Sequence, residues 1–308
     1  MSPRHTLLAL VVVVIWALNF LVIDFGLAGV PPLLFLAMRF TVVVLPAIFF
    51  LKPPTIGWRN ILLIGTFLSL AQFALLYLAL SLGVPPGLAS LLHQSQVVLT
   101  VIVSVLILRE RPSRRQLIGI VIGMLGLAVV VIGRGQTADF IPLGILLLGS
   151  LSWAIGNVLT RRAKAASSLS LVVYSGLVVP IPAFVLSLVV DSPPVVFDAL
   201  AHLNWINILS TIYTAGLSSL VGYGIWNHLL ARYPTSAVVP FSLLIPIIGI
   251  LAAWLIVHEQ PSPTELIGGA VMLVGLAIAV LVLRGPGRGG QSRGSTGSDS
   301  IAKTPNIA

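Results

Sequence analysis

The amino-acid sequence predicts an all-α membrane protein with ten transmembrane helices in two inverted five-helix repeats. Three observations carry that expectation. The composition is 57% hydrophobic and only 8% charged. Apolar runs of about 20 residues, the length a helix needs to cross a bilayer, recur along the chain. Lys and Arg fall between those runs with a one-sided bias. A soluble domain carries about 25% charged residues, and one this apolar would expose large greasy patches to water. Backbone groups in lipid must pair within their own segment, which favours helices. The runs lack the period-2 alternation of an outer-membrane barrel.

Taken in order, the first run follows Arg4 and His5 and continues to about Leu27. It exceeds the roughly 7–15 residue core of a signal peptide and has no clear cleavage site, so an uncleaved span is expected at 6–28. Further spans are expected at 32–51, 60–82, 86–108, 115–133, 141–161, 169–190, 205–231, 235–257 and 264–283. Pro31-Pro32, Lys52-Pro53-Pro54, Pro85-Pro86-Gly87, Arg111-Pro112-Ser113 and Gln260-Pro261-Ser262-Pro263 punctuate them. Proline suits a first helical turn because that N–H has no intrahelical partner. Pro180, Pro182, Pro240 and Pro246 predict kinks or breaks within spans 7 and 9. Residues 285–308, rich in Gly and Ser, are expected to form a disordered cytoplasmic tail.

With the N-terminus inside, 15 of the 17 Lys and Arg fall on the cytoplasmic side, Arg39 lies within span 2, and Arg134 alone is outside. This bias predicts a cytoplasmic N-terminus and C-terminus and an even number of spans. It also accounts for the net charge of +9 through topology and anionic headgroups, with no nucleic-acid partner expected. The absence of cysteine excludes disulfides, a thiol nucleophile and a thiolate metal site. No His-Glu-x-x-His motif, catalytic Gly-x-Ser-x-Gly context or carboxylate pair is present, so an intramembrane enzyme is the weak alternative. No catalytic residue, metal or cofactor is expected. Neither a filter sequence nor a charged ring suggests a channel.

A shift of 149 residues superposes Pro85 on Pro234, Glu110 on Glu259, Pro112 on Pro261 and Ser113 on Ser262. The same shift places Leu117-Ile118-Gly119 on Leu266-Ile267-Gly268 and Gly126-Leu127 on Gly275-Leu276. Trp16-Ala17 and Trp153-Ala154 align with a shift of 137. The expected units are 1–136, 137–284 and the tail 285–308. Five spans per unit, an odd number, invert the second unit. The loop Arg109 to Arg115 is strongly basic, whereas its counterpart from His258 to Glu265 contains no Lys or Arg. Inverted repeats are characteristic of transporters, with the binding site at the repeat interface near the midplane.

The segments Trp16-Ala17-Leu18-Asn19-Phe20, Gln94-Ser95-Gln96-Val97-Val98-Leu99-Thr100, Leu108-Arg109-Glu110-Arg111-Pro112 and Gln116-Leu117-Ile118-Gly119 resemble the EamA family of the drug/metabolite transporter superfamily. The second half repeats the pattern with Leu244-Ile245-Pro246 and Glu259-Gln260-Pro261. The resemblance spans about residues 6–283. It implies two EamA units, a bacterial inner-membrane location and export of small metabolites. Amino-acid exporters are the most similar branch, including YddG-like aromatic exporters and the cysteine/O-acetylserine branch. Export of a drug or another metabolite is the alternative within the same fold. Arg109 ahead of Glu110 departs from the commoner Gly-Glu-Arg form.

Polar side chains in lipid tend to face the bundle interior. The candidate substrate-binding residues are Trp16 and Asn19 in span 1, Gln72 and Tyr77 in span 3, His93 and Gln96 in span 4, and Trp153 and Asn157 in span 6. Tyr223 and Trp226 in span 8 and Ser242 in span 9 complete the set. His93, Gln96, Thr100 and Ser104 follow a helical stripe, as do Ser150, Trp153, Asn157 and Thr160. Aromatic walls with amide and hydroxyl groups suit a zwitterionic amino acid, although such stripes also serve as interhelical hydrogen-bond glue. Asp24 and Arg39 are candidates to pair, anchor or gate. Trp58 and Trp205 are expected in the interfacial belt. Gly119-x-x-x-Gly123, with Gly126, and its counterparts Gly268, Gly269 and Gly275 are expected to pack within the chain, with a dimer seam as the alternative. A small-molecule substrate and the lipid bilayer are the expected partners; the oligomeric state has no further signature.

Overall fold

The computed structural model describes residues 1–109, 111–133, 140–165, 169–233 and 235–280. The expected unit boundary at 136–137, Glu110, Arg134 and the tail 285–308 lie outside these residues. Among the described residues every regular element is helical. Eight helices are long and apolar enough to cross a membrane: α1 (Pro3–Gly26), α3 (Trp58–Ser81), α4 (Pro86–Leu108), α5 (Arg114–Gly133), α6 (Phe140–Arg162), α7 (Leu169–Val190), α9 (Trp205–Arg232) and α10 (Val239–Val257). Two shorter apolar helices are α2 (Pro32–Ala47) and α11 (Pro263–Val280). A short helix absent from the sequence reading, α8 (Pro193–Ala201), joins α7 to α9.

Helix starts follow the local chemistry. Ser113 and Gln116 form a reciprocal cap at the start of α5: the Gln116 carbonyl oxygen accepts from the Ser113 N–H at 2.8 Å, and the Ser113 hydroxyl accepts from the Gln116 N–H at 3.2 Å. Ser262 and Glu265 repeat the arrangement at the start of α11, at 2.9 and 3.2 Å. Each pair satisfies two amide donors that lack intrahelical acceptors. The helices α4 and α10 both end in a residue of left-handed conformation, Arg109 (φ 55) and His258 (φ 57).

Several spans read as continuous are interrupted. In α4 the α-helical pieces Pro86–Leu92 and Ser95–Leu108 flank a tight turn at His93-Gln94. There the Gln94, Gln96 and Val97 amides bond three residues back, at 3.0–3.2 Å. The stripe from His93 to Ser104 therefore does not lie on one regular helix. In α10 the segment Val239–Leu243 is 3₁₀-helical and the α-helix begins at Leu244. Pro246 lacks the N–H that would reach the Ser242 carbonyl four residues earlier. The helix α7 is interrupted before Pro180. Both α3 and α9 contain π-helical turns, at Gly65–Ala71 and Tyr213–Gly222. In α9 the Ser219 hydroxyl donates to the Thr214 carbonyl at 2.9 Å, drawing the backbone into the wider turn. Such wide turns recur at functional sites.

The helix α1 packs between α9 and α10, α3 packs on α6 and α2, and the second half of α4 packs on α6. The helices α5 and α11 cross in direct backbone contact. Gly119 faces Gly275 and Ala279, and Gly126 faces Gly268 and Met272. An early residue of each helix thus meets a late residue of the other, so the two run antiparallel. Small residues permit this approach where lipid supplies no hydrophobic drive between helices. Outward faces are apolar: Leu106, Ile132, Ile181 and Val189 are all at least 73% exposed. Trp58 and Trp205 are exposed at the starts of α3 and α9.

Candidate functional site

The helix breaks meet in the interior. The Gln94 side-chain amide donates to the Ser242 carbonyl at 3.0 Å. This bond satisfies the oxygen that Pro246 leaves without its usual helical donor, as a broken helix inside a membrane protein requires. Ser242 turns its own hydroxyl to the Val239 carbonyl, at 2.8 Å.

Polar and aromatic groups surround this junction. His93 is buried, with Gln72 Nε2 3.4 Å from its Nε2 and the Ser150 hydroxyl 3.2 Å from its Nδ1. Its ring lies 4.8 Å from that of Trp153 and 6.0 Å from that of Phe20, centroid to centroid. Four helices, α1, α3, α4 and α6, thus converge on one imidazole. On the adjoining side Trp16 is 5.2 Å from Tyr223 and 5.1 Å from Trp226, ring to ring. The Trp16 indole N–H donates to the Ser218 carbonyl at 3.0 Å, within the π-helical turn of α9. Gly222 makes room for this indole: a Cβ there would lie 2.6 Å from Trp16 Nε1.

A second network lies beside the first. Arg39, from α2, donates to the Tyr77 hydroxyl at 2.6 Å and to the Ser219 hydroxyl at 3.0 Å. Its guanidinium carbon lies 4.2 Å from the centre of the Phe73 ring, a cation–π distance. Arg39 makes no ion pair with Asp24, so that sequence alternative is corrected. Its partners are neutral groups on α3 and α9.

The structure brings Gln72, His93 and Trp153 into one cluster, Trp16, Tyr223 and Trp226 into another, and Tyr77 into the Arg39 network. Asn19 is buried one turn after Trp16, and its Oδ1 has no hydrogen-bond partner. Gln96 and Asn157 are half-buried. Sequence reasoning missed the roles of Gln94, which holds the two breaks together, and of Ser218, which receives Trp16. The Pro246 signal was available, because its missing N–H predicts a carbonyl in need of a donor at Ser242. Nothing in sequence spacing points from Gln94 to that carbonyl. A groove of about 490 Å³ between α4, α5 and α6 is lined by Val98, Leu99, Met124 and Leu148 and is almost wholly apolar; it lacks the polar groups of the central clusters.

Comparison with known proteins agrees with this architecture. The EamA-like transporter family matches the chain twice, over residues 4–132 and 141–281. A probable amino-acid metabolite efflux pump of Escherichia coli strain K12 is 38% identical over 290 residues, covering 92% of this chain and 97% of that protein. The protein of the same description from Salmonella typhimurium strain LT2 is 37% identical over the same shares of the two chains. A probable terminal-alkyne amino-acid exporter of Streptantibioticus cattleyicolor is 25% identical over 197 residues, 63% of this chain and 64% of its own. One crystal structure superposes with a TM-score of 0.59 at 20% identity, covering 91% of this chain and 99% of the other, a likeness of fold.

Proposed function

The chain belongs to the EamA-like transporter family, and from that premise we propose that it exports amino acids or related small metabolites across a bacterial inner membrane by alternating access. The observation that carries this reading is the meeting of two interrupted helices, α4 and α10, through Gln94 and Ser242. Next to Gln94, His93 packs against Trp153, and next to Ser242, Phe241 shares an apolar cluster with Trp226. Discontinuous helices at the bundle centre are the usual setting of a transporter's substrate site. Aromatic walls would hold a side chain, while amide and hydroxyl groups would take up the charged ends of a zwitterion. Relatives described as probable amino-acid metabolite efflux pumps support the substrate class.

Alternating access would arise from ten spans in two inverted halves with both termini in the cytoplasm. Support comes from features that recur at the 149-residue shift. They are the caps Ser113/Gln116 and Ser262/Glu265, the left-handed ends Arg109 and His258, the π-helical turns of α3 and α9, and the breaks at Gln94 and Leu243. The shift also exchanges the Gly119–Gly275 contact with the Gly268–Gly126 contact. Because these glycine contacts join antiparallel helices, they favour halves of opposite polarity.

The test is transport by purified protein in liposomes, using a panel of radiolabelled L-amino acids with and without a pH gradient. Saturable flux, inhibited by the same unlabelled amino acid, is expected for at least one member. Absence of flux for every member with folded protein would sink the amino-acid reading.

A further inference from the structure

We infer that Arg39 is the anchor for the carboxylate of the transported solute, an inference that rests on the exporter reading and names the group by which the site recognises its substrate. Arg39 is only 1% exposed and sits in the interior of a membrane protein, where a charge without a counter-charge is costly. Among the described residues no acidic side chain relieves that cost, since none forms an ion pair with it. Its hydrogen bonds go to two hydroxyls, of Tyr77 and Ser219, and its guanidinium carbon lies over the Phe73 ring. One of its three nitrogens has no partner at all, the buried Nε.

That arrangement matches a carboxylate receptor awaiting its anion. A guanidinium binds a carboxylate side-on through Nε–H and a terminal N–H in two parallel bonds. The aromatic face and the hydroxyls hold the guanidinium in place without neutralising it. The position also suits the central clusters. Phe73, beneath the guanidinium, follows Gln72, whose amide lies against His93. Ser219 follows Ser218, whose carbonyl holds Trp16. One turn beyond Trp16, the buried Asn19 Oδ1 is an acceptor without a partner, of the type an ammonium group requires. Arg39 is covered in this conformation, so the solute reaches it in another conformation of the alternating-access cycle.

The experiment uses the full chain in liposomes. For each amino acid that the wild-type protein moves, the labelled solute competes with its unlabelled self and with its carboxamide, which keeps the side chain and the amine but lacks the carboxylate. The carboxamide is expected to compete on the order of 10- to 100-fold more weakly, the worth of one or two charge-assisted hydrogen bonds. Arg39→Gln is expected to raise KM for the amino acid by a similar factor and to abolish the preference over the carboxamide. Arg39→Lys, which keeps the charge, is expected to retain part of that preference. A purely structural Arg39 would alter flux without changing the ratio of the two competitors. Equal competition by amino acid and carboxamide on the wild-type protein overturns the anchor, leaves the exporter reading intact, and needs no variant to fold. Absence of transport for every amino acid overturns both.

Discussion

Replacing Gly126 with alanine adds one methyl group at a tight part of the α5–α11 crossing. A Cβ at this position would lie 2.6 Å from the Gly268 carbonyl oxygen and 2.7 Å from Met272 Cα, both backbone atoms that cannot rotate away. Alanine improves helix propensity by about 1 kcal/mol. Overpacking against an immobile neighbour costs about 1–3 kcal/mol, and separating the helices forfeits dispersion contacts along the whole crossing. The net expectation is a loss of about 1–2 kcal/mol. Gly144→Ala in α6 supplies the control, because nothing lies within 4 Å of the added atom. There the propensity gain stands alone, so stability should match or exceed wild type. Thermal unfolding of both variants in the same detergent, followed by loss of the monodisperse peak, measures the comparison. A Gly126→Ala protein at least as stable as Gly144→Ala would refute the claim that backbone contact, not helix propensity, governs this crossing.

Three further outcomes follow from the contacts. Glu259→Ala should lower stability by about 1–3 kcal/mol in the same assay, because its carboxylate accepts from the Gly87 and Leu88 amides at 2.9 and 3.3 Å at the start of α4; a change no larger than that of an exposed surface substitution counts against this tie. Trp16→Phe keeps most of the ring contact with Tyr223 and Trp226 but loses the bond to the Ser218 carbonyl, so substrate KM in liposomes should rise by several-fold, about 1 kcal/mol, and an unchanged KM contradicts the role of that bond. Alanine at Gln96, Trp153 or Asn157 should reduce initial transport rates at matched expression, whereas alanine at the 73% exposed Leu106 should not; equal rates for all four would remove these side chains from the solute path.

Membrane character, helix positions and the small-residue packing face were legible from local pattern. Spans at 86–108 and 169–190 agree with α4 and α7 to the residue. Most other ends lie within a few residues, since apolar length and proline punctuation are local properties. Interruptions inside the spans were less legible. Pro246 hinted at the break in α10, but the turn at His93-Gln94 has no proline or glycine to announce it. It persists because Gln94 finds a tertiary acceptor. The same limit applies to Arg39: its presence within an apolar run was plain, yet whether it paired with Asp24 depended on which helices lay beside α2.

The sequence by itself determined an apolar helical membrane chain whose two halves match the same family, because transfer of apolar side chains into lipid and exclusion of charge from it depend on composition and order alone. The tertiary structure decided which polar groups meet. It brought Gln94 to the carbonyl at Ser242, set His93 against Trp153, and left Arg39 bonded to neutral hydroxyls with its Nε unpartnered. Hydrogen bonds require approach within about 3 Å and correct direction, and residues as far apart in the chain as Arg39 and Ser219 acquire that geometry only when their helices are packed.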